Sequence, residues 1–137
     1  MLDTNILVSA LISRDGAPGR VLALVKRLGL TLATSEAQLD ELRSVVRRDH
    51  LRSYLRPQEA EDLINNLEAV GEVVRHLPDL NASPDPDDNS ILATAIAGRA
   101  DLIVSGDKKH MLALGDIDGI PIVTAAVAVD RLRRQQH

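Results

Sequence analysis

The chain has 137 residues, and we expect residues 1–137 to form a single domain. Aromatic residues make up 1% of the sequence, which argues against a platform on which nucleic-acid bases stack. The absence of cysteine excludes disulfides, thiolate catalysis and Cys-based zinc sites. No apolar run approaches the roughly 20 residues that span a bilayer, so we expect a soluble, cytoplasmic protein without membrane contact.

Short strands and helices alternate along the chain, which predicts an α/β fold with a parallel sheet covered on both faces. The predicted strands are residues 1–4, 30–33, 72–77, 102–105 and 121–124. The predicted helices are residues 5–13, 21–28, 35–48, 57–70, 88–98, 108–114 and 125–136. A first strand that runs only from Met1 to Asp3 is very short for the centre of such a sheet. Two explanations stay open: the true start codon lies upstream, or the strand is frayed.

Two acidic residues follow predicted strands directly. Asp3 ends the first strand, and Asp107 follows the strand at residues 102–105. In open α/β sheets, ligands bind beyond the carboxyl ends of the strands. We therefore expect both carboxylates at one edge of the sheet.

Two further acids stand close to the apolar faces of predicted helices. Glu41 falls about 100° from the centre of the apolar arc of its helix, whereas Asp40 falls about 160° away on the solvent side. Asp88 falls about 10° from the centre of its arc, and Asp87 about 110° away. Since a buried carboxylate is costly unless it is compensated, Glu41 and Asp88 are the candidate site residues of these helices.

Each acid also has a structural explanation. Asp3, Asp88 and Asp107 stand near predicted helix N-termini, where a carboxylate caps free N–H groups, and Glu41 suits a solvated helix face. Four carboxylates at one sheet edge, however, repel one another unless they are protonated or bind a cation. Oxygen ligands of this kind suit Mg²⁺ or Mn²⁺, and such an ion activates water and stabilises charge on a phosphodiester.

These acids occur in segments that resemble the PIN-domain family, in particular the ribonuclease toxins of type II toxin–antitoxin pairs. The matching segments follow the family's order, at Leu-Asp-Thr-Asn-Ile-Leu (2–7), Glu-Leu (41–42), Asp-Asn-Ser-Ile-Leu-Ala-Thr-Ala (88–95) and Ala-Asp-Leu-Ile-Val-Ser-Gly-Asp (100–107). They span nearly the whole chain. Ser105 stands where many members have Thr, which retains the hydroxyl group.

The resemblance implies a three-layer α/β/α sandwich around a central parallel sheet of about five strands. It implies that Asp3, Glu41, Asp88 and Asp107 are catalytic and hold one or two Mg²⁺ or Mn²⁺ ions. It also implies that Asn5 and Ser105 position a carboxylate or water. The expected reaction is hydrolysis of RNA phosphodiester bonds, leaving 5′-phosphate and 3′-hydroxyl ends. The implied partners are RNA and a small antitoxin protein, and excess apolar surface on a terminal helix also allows a homodimer.

Basic residues near these acids are candidate phosphate contacts. Arg43 and Arg47 follow Glu41, and Lys108 follows Asp107. A solvated helix face or loop explains them equally well. The four histidines share no ligand spacing, so we assign none of them a catalytic role.

Two other functions remain as alternatives. A PIN fold without activity would serve as an RNA- or protein-binding module. A phosphoacceptor signalling domain also places acids and Mg²⁺ at strand ends, but the predicted strands at 30–33 and 72–77 end without an Asp in the required position.

Overall fold

In the computed structural model, which describes residues 1–135, helices and short strands alternate along the chain as expected. The helices are α1 (Thr4–Ile12), α2 (Ala17–Arg27), α3 (Glu36–Val46), α4 (Pro57–Val70), α5 (Pro86–Ala97) and α6 (Ala125–Arg134). The strands are β1 (Ala33–Ser35), β2 (Glu72–Val74), β3 (Ile103–Val104), β4 (Asp116–Ile117) and β5 (Ile120–Val123). Short 3₁₀ turns occur at Asp49–Leu51 and Leu112–Leu114. No helix within the described part of the chain is long and apolar enough to cross a membrane.

The strands pair in two small groups. β1 pairs with β2 in parallel, β3 pairs with β5 in parallel, and β4 pairs with β5 in the antiparallel direction. The expected single sheet of about five parallel strands is therefore not formed among residues 1–135. The predicted first strand is reduced to one parallel bridge between Leu2 and Val104. On its other side the Leu2 carbonyl accepts a hydrogen bond from the Gln38 side chain, 2.7 Å away, so a side chain occupies an acceptor that a strand would otherwise use.

Helices cover both faces of the strands. Side chains alternate between the two faces of a strand, and here the side chains on both faces are apolar. Leu2, Val104 and Val123 pack into an apolar cluster with helices α1, α2, α3, α4 and α6. Their neighbours Met1, Ile103 and Ile122 pack on the opposite side, against α5. The fold is thus mixed α/β, and the carboxyl ends of the central strands lie between two packed layers.

Local capping sets the starts of the helices. The Asp3 side chain caps α1, Ser35 caps α3 by accepting from the Gln38 amide at 3.1 Å, and Thr124 caps α6. Two boundaries differ from the predictions for a local reason: α2 begins at Ala17 and α5 at Pro86, because proline is favoured in the first turn of a helix. The predicted helix at 108–114 is a turn ending in the 3₁₀ segment. Residue 136, the predicted end of the last helix, lies outside the described residues.

The hairpin between β4 and β5 was missing from the predicted elements. Asp118 and Gly119 both have positive φ angles, of 48° and 80°. Two such residues form the type I′ turn that joins antiparallel strands, and Asp-Gly is a preferred sequence for it. The signal was therefore present in the sequence.

Candidate functional site

The four acids singled out in the sequence come together in the folded chain. They line one open cavity of about 300 Å³ at the carboxyl ends of the central strands. The residues lining it are Asp3, Asn5, Glu41, Asp85, Asp87, Asp88, Ile91, Gly106 and Asp107. The acids arrive from four separate segments of the chain, so only the tertiary fold brings them together.

Asp3 is held at the base of this cavity, with 7% of its surface exposed. Its Oδ1 accepts from the Asn5 amide at 3.2 Å, and its Oδ2 accepts from the Ser105 hydroxyl at 2.8 Å. Burial raises the pKa of the Asp3 carboxyl, these two hydrogen bonds oppose the rise, and the charges of Asp107 and Asp85 add to it. Asp3 therefore caps α1 and is also a carboxyl group whose charged form is disfavoured by its surroundings in the site.

Asp107 lies beside Asp3 because their strands are adjacent. Its amide donates to the Ser105 hydroxyl at 3.1 Å. Its Oδ1 accepts from the amides of Lys109 and His110, at 3.0 and 3.2 Å, so the carboxylate closes the turn that follows β3. Asp107 therefore caps backbone amides, as predicted, and also lines the cavity.

Asp88 enters the cavity from the first turn of α5. It is 8% exposed, and its Oδ2 accepts from the Ser83 hydroxyl at 3.1 Å. Burial raises the pKa of Asp88, the Ser83 hydrogen bond lowers it, and the charges of Asp85, Asp107 and Asp3 raise it.

Glu41 closes the cavity from α3 and is half-buried. Burial raises its pKa, as do the charges of Asp87 and Asp3, while a hydrogen bond with the Thr4 side chain opposes them. Three acids of the set therefore have a raised pKa, and each is raised in part by other carboxylates in the cavity.

A buried glutamine fixes the strand end that carries Asp3. Gln38 is 3% exposed, accepts from the Thr34 hydroxyl at 2.6 Å and donates to the Leu2 carbonyl at 2.7 Å. Since Gln38 lies on the same helix as Glu41, it ties that helix to the strand end. In the sequence, the visible signal for Gln38 is its place three residues after Ser35, which is the spacing of a capping box.

Asp85 and Asp87 also line the cavity, although the sequence analysis proposed neither for the site. Both are exposed at its mouth, and the Asp85 side chain caps α5 by accepting from the Asp87 amide at 2.9 Å. The run Asp85-Pro86-Asp87-Asp88 was a visible signal. Asp87 was not selected because the angular position of a residue on a helix predicts only whether it is buried against the core. It does not predict whether the residue lines an open cavity.

The basic candidates occupy different places. Arg43 forms ion pairs with Asp40 and Glu68, and with Arg47 it lines a separate cavity of about 360 Å³ between α3 and α4. Lys108 is exposed directly after Asp107. Asn5 is exposed and lines the acidic cavity itself. His50, His76 and His110 do not line this cavity, and His137 lies outside the described residues.

Among residues 1–135, no three acidic or histidine side chains stand close enough together to coordinate a metal ion as they are. The acids share one cavity, but their oxygens are spread around it. Carboxylates that lie close together repel one another, so a tighter arrangement is unfavourable without a cation between them.

Comparisons with known proteins agree with this architecture. Residues 1–109, which include all four acids, match the PIN domain family. A protein of Methanocaldococcus jannaschii described as uncharacterized is 29% identical over 109 residues, which cover 79% of this chain and 70% of that protein. No solved structure matched the chain. Since the family match covers well over half of the sequence, the chain belongs to the PIN domain family.

Proposed function

We propose that this protein is a metal-dependent endoribonuclease in which Asp3, Glu41, Asp88 and Asp107 hold Mg²⁺ or Mn²⁺. The observation that carries the proposal is that these acids, from four segments of the chain, line one cavity at the carboxyl ends of the strands. PIN domains are typically nucleases, which makes phosphodiester hydrolysis the natural function for this cavity.

The donor set fits hard divalent cations. The polar side chains that line the cavity offer oxygen ligands, from carboxylates and the Asn5 amide, and no histidine or sulfur ligand. Burial and mutual repulsion raise the pKa values of Asp3, Glu41 and Asp88, and a cation would relieve both costs. When bound, Mg²⁺ or Mn²⁺ supplies an activated water and stabilises negative charge on the phosphodiester.

The chain's own residues prepare the site for this role. The Ser105 hydroxyl holds one oxygen of Asp3 and so sets the orientation of its carboxyl plane. Asn5 is exposed at the cavity, where its amide suits a water or a sugar-phosphate oxygen. Lys108 is exposed directly after Asp107 and would supply a positive charge near the acidic cavity.

The test is cleavage of a mixed structured RNA pool by purified protein, with Mn²⁺ or Mg²⁺ against a chelator. Asp88→Asn keeps the shape of the side chain and removes its charge, so it should abolish metal-dependent cleavage. Asp62→Asn, at an exposed position on α4, is the matched control and should cleave as the wild type does. The products should carry 5′-phosphate and 3′-hydroxyl ends. Ends with 2′,3′-cyclic phosphate would contradict the proposed water attack.

We further propose that the protein acts in the cytoplasm as the toxin of a toxin–antitoxin pair. The sequence segments around the acids resemble such toxins, and we assign the small antitoxin protein to a groove between α2 and α4. Leu22 and Leu63 line both cavities of this groove, whose volumes are about 330 and 500 Å³. Induced expression should arrest growth, and Asp88→Asn should relieve the arrest. Equal arrest by both proteins would separate toxicity from nuclease activity.

A module that binds RNA without cleaving it is the second candidate. The observation that favours it is the absence of a ready coordination arrangement among the described residues. Wild-type protein that binds RNA in chelator and never cleaves it with metal would establish this function instead.

A further inference from the structure

Two loops that line the cavity share one local arrangement. Ser83-Pro84-Asp85 and Ser105-Gly106-Asp107 each place a serine two residues before an aspartate. In each loop the serine hydroxyl accepts from the amide of that aspartate, at 3.2 Å for Asp85 and 3.1 Å for Asp107. In each loop the same hydroxyl donates to a carboxylate elsewhere in the site.

The acceptors of those two donated bonds are the two most buried acids of the site. Ser105 donates to Asp3 at 2.8 Å, and Ser83 donates to Asp88 at 3.1 Å. Both serines are themselves buried, at 0% and 4% exposure. Ser105 was a candidate from the sequence and Ser83 was not, although both hydroxyls donate to a buried carboxylate.

In each loop, the hydrogen bonds of the serine hydroxyl determine which group receives its proton. A hydroxyl has one proton to donate and lone pairs that accept. Since the Asp85 amide occupies a lone pair of Ser83, the proton is free for Asp88, and the bond engages Oδ2. That bond restrains the orientation of the Asp88 carboxyl group, and Oδ1 would be the oxygen left to hold a cation.

Asn89 fixes Ser83 in turn. Its Oδ1 accepts from the amides of Ala82 and Ser83, at 3.0 and 2.8 Å, and its Nδ2 donates to the Ser83 carbonyl at 2.8 Å. One side chain thus binds the backbone on both sides of Ser83. Because Asn89 follows Asp88 on α5, the loop is anchored to the same helical turn that presents the carboxylate.

We propose that Ser83, held in place by Asn89, is a positioning residue for Asp88, as Ser105 is for Asp3. The inference rests on the proposed metal-dependent function, because it concerns how the same site holds its cation. Neither Ser83 nor Asn89 touches a substrate in this proposal. Both act through the orientation of the Asp88 carboxylate.

The experiment measures Mn²⁺ affinity by calorimetry and RNA cleavage at saturating Mn²⁺ for Ser83→Ala, Ser83→Thr and Asn89→Ala. Loss of an outer partner of a metal ligand typically reduces metal affinity or activity about 10- to 100-fold, so Ser83→Ala should weaken Mn²⁺ binding in that range. Ser83→Thr keeps the hydroxyl and should recover most of the affinity. Ser44→Ala, at an exposed position on α3, is the matched control and should bind Mn²⁺ as the wild type does.

A double variant separates positioning from a general effect on the fold. In an Asp88→Asn background, Ser83→Ala should cause no further loss of Mn²⁺ affinity, because the group it orients is already altered. An additive loss, or a Ser83→Ala protein that binds Mn²⁺ like Ser44→Ala, would overturn the proposal. The proposed nuclease function fails separately, if wild-type protein binds Mn²⁺ and leaves RNA intact, and the affinity comparison would still decide the role of Ser83.

Discussion

The Ser105 hydroxyl donates a 2.8 Å hydrogen bond to Asp3, a residue 102 positions earlier in the chain. The same hydroxyl accepts from the amide of Asp107. One small side chain, wholly buried, therefore links Asp3 and Asp107, the two acids that follow the paired strand segments. The arrangement connects the pairing of Leu2 with Val104 directly to the geometry of the site.

Removal of this hydroxyl is the first prediction. Ser105→Ala should reduce RNA cleavage at saturating Mn²⁺ about 10- to 100-fold, because Asp3 loses the donor that orients it. The fold should persist, since the change removes two hydrogen bonds, each of which contributes about 1 kcal/mol. Steady-state kinetics and circular dichroism check the two parts. Full activity in Ser105→Ala would show that the hydrogen bond from the backbone amide of Asn5 is by itself enough to orient Asp3.

The second prediction concerns the buried glutamine on α3. Gln38→Leu leaves the Leu2 carbonyl and the Thr34 hydroxyl without the partners they have in the native fold. Each unsatisfied buried group costs about 1–3 kcal/mol, so the free energy of unfolding should fall by at least about 2 kcal/mol. Urea denaturation measures the change. Gln58→Leu, at an exposed position, is the control, and an equal loss in both variants would contradict a specific role for Gln38.

The third prediction is a pH dependence of the metal-free protein. The folded-state pKa values of Asp3, Glu41 and Asp88 lie above the ordinary 3.8 for Asp and 4.5 for Glu, so the folded state binds more protons than the unfolded state. The destabilisation that these acids cause is therefore absent when the pH is below their ordinary pKa values. It grows as the pH rises through the raised pKa values.

Asp88→Asn isolates this effect from the other carboxylates of the chain. In chelator at neutral pH the variant should unfold at a higher temperature than the wild type, because it lacks a carboxylate that is buried and repelled by its neighbours. The difference should shrink to nearly nothing near pH 4. Thermal unfolding across this pH range provides the measurement, and a difference that does not vary with pH would mean that the buried, repelled charge of Asp88 is not its cause.

The fourth prediction is stabilisation by the cation itself. A ligand that binds only the folded state adds about 2.7 kcal/mol when its concentration is 100 times its dissociation constant. Mn²⁺ should therefore raise the unfolding temperature of the wild type by several degrees, and chelator should reverse the rise. Asp88→Asn should lose most of this response. An equal rise in both proteins would place the ion outside the acidic cavity.

The fifth prediction distinguishes the basic residues. Arg43 is paired with two acids and lines a different cavity, whereas Lys108 is exposed beside Asp107. Lys108→Ala should weaken RNA binding several-fold in a salt-dependent manner, and Arg43→Ala should change it little. Filter binding of the Asp88→Asn protein with each substitution at two salt concentrations measures both. A larger loss of RNA affinity for Arg43→Ala would indicate that RNA binds near the cavity between α3 and α4.

Several features of this protein follow from the sequence alone. The Ser35 cap and the proline at position 57 mark the starts of α3 and α4, because caps and first turns depend only on residues within one helical turn. The apolar arcs of α3 and α5 single out Glu41 and Asp88 for the same reason, since helical periodicity is a local property. The match of residues 1–109 to the PIN domain family is also carried by sequence.

Only the tertiary structure decided the rest. The Gln38 side chain bonds to Leu2 where a neighbouring strand was expected, and Ser83 bonds to Asp88 through a loop whose path no periodic pattern describes. Asp85 and Asp87 join the site because the start of α5 faces the ends of strands that lie far away in the chain. Local patterns report which residues are buried or capping. Which carboxylates share a cavity depends on contacts between distant segments, and those form only when the whole chain packs.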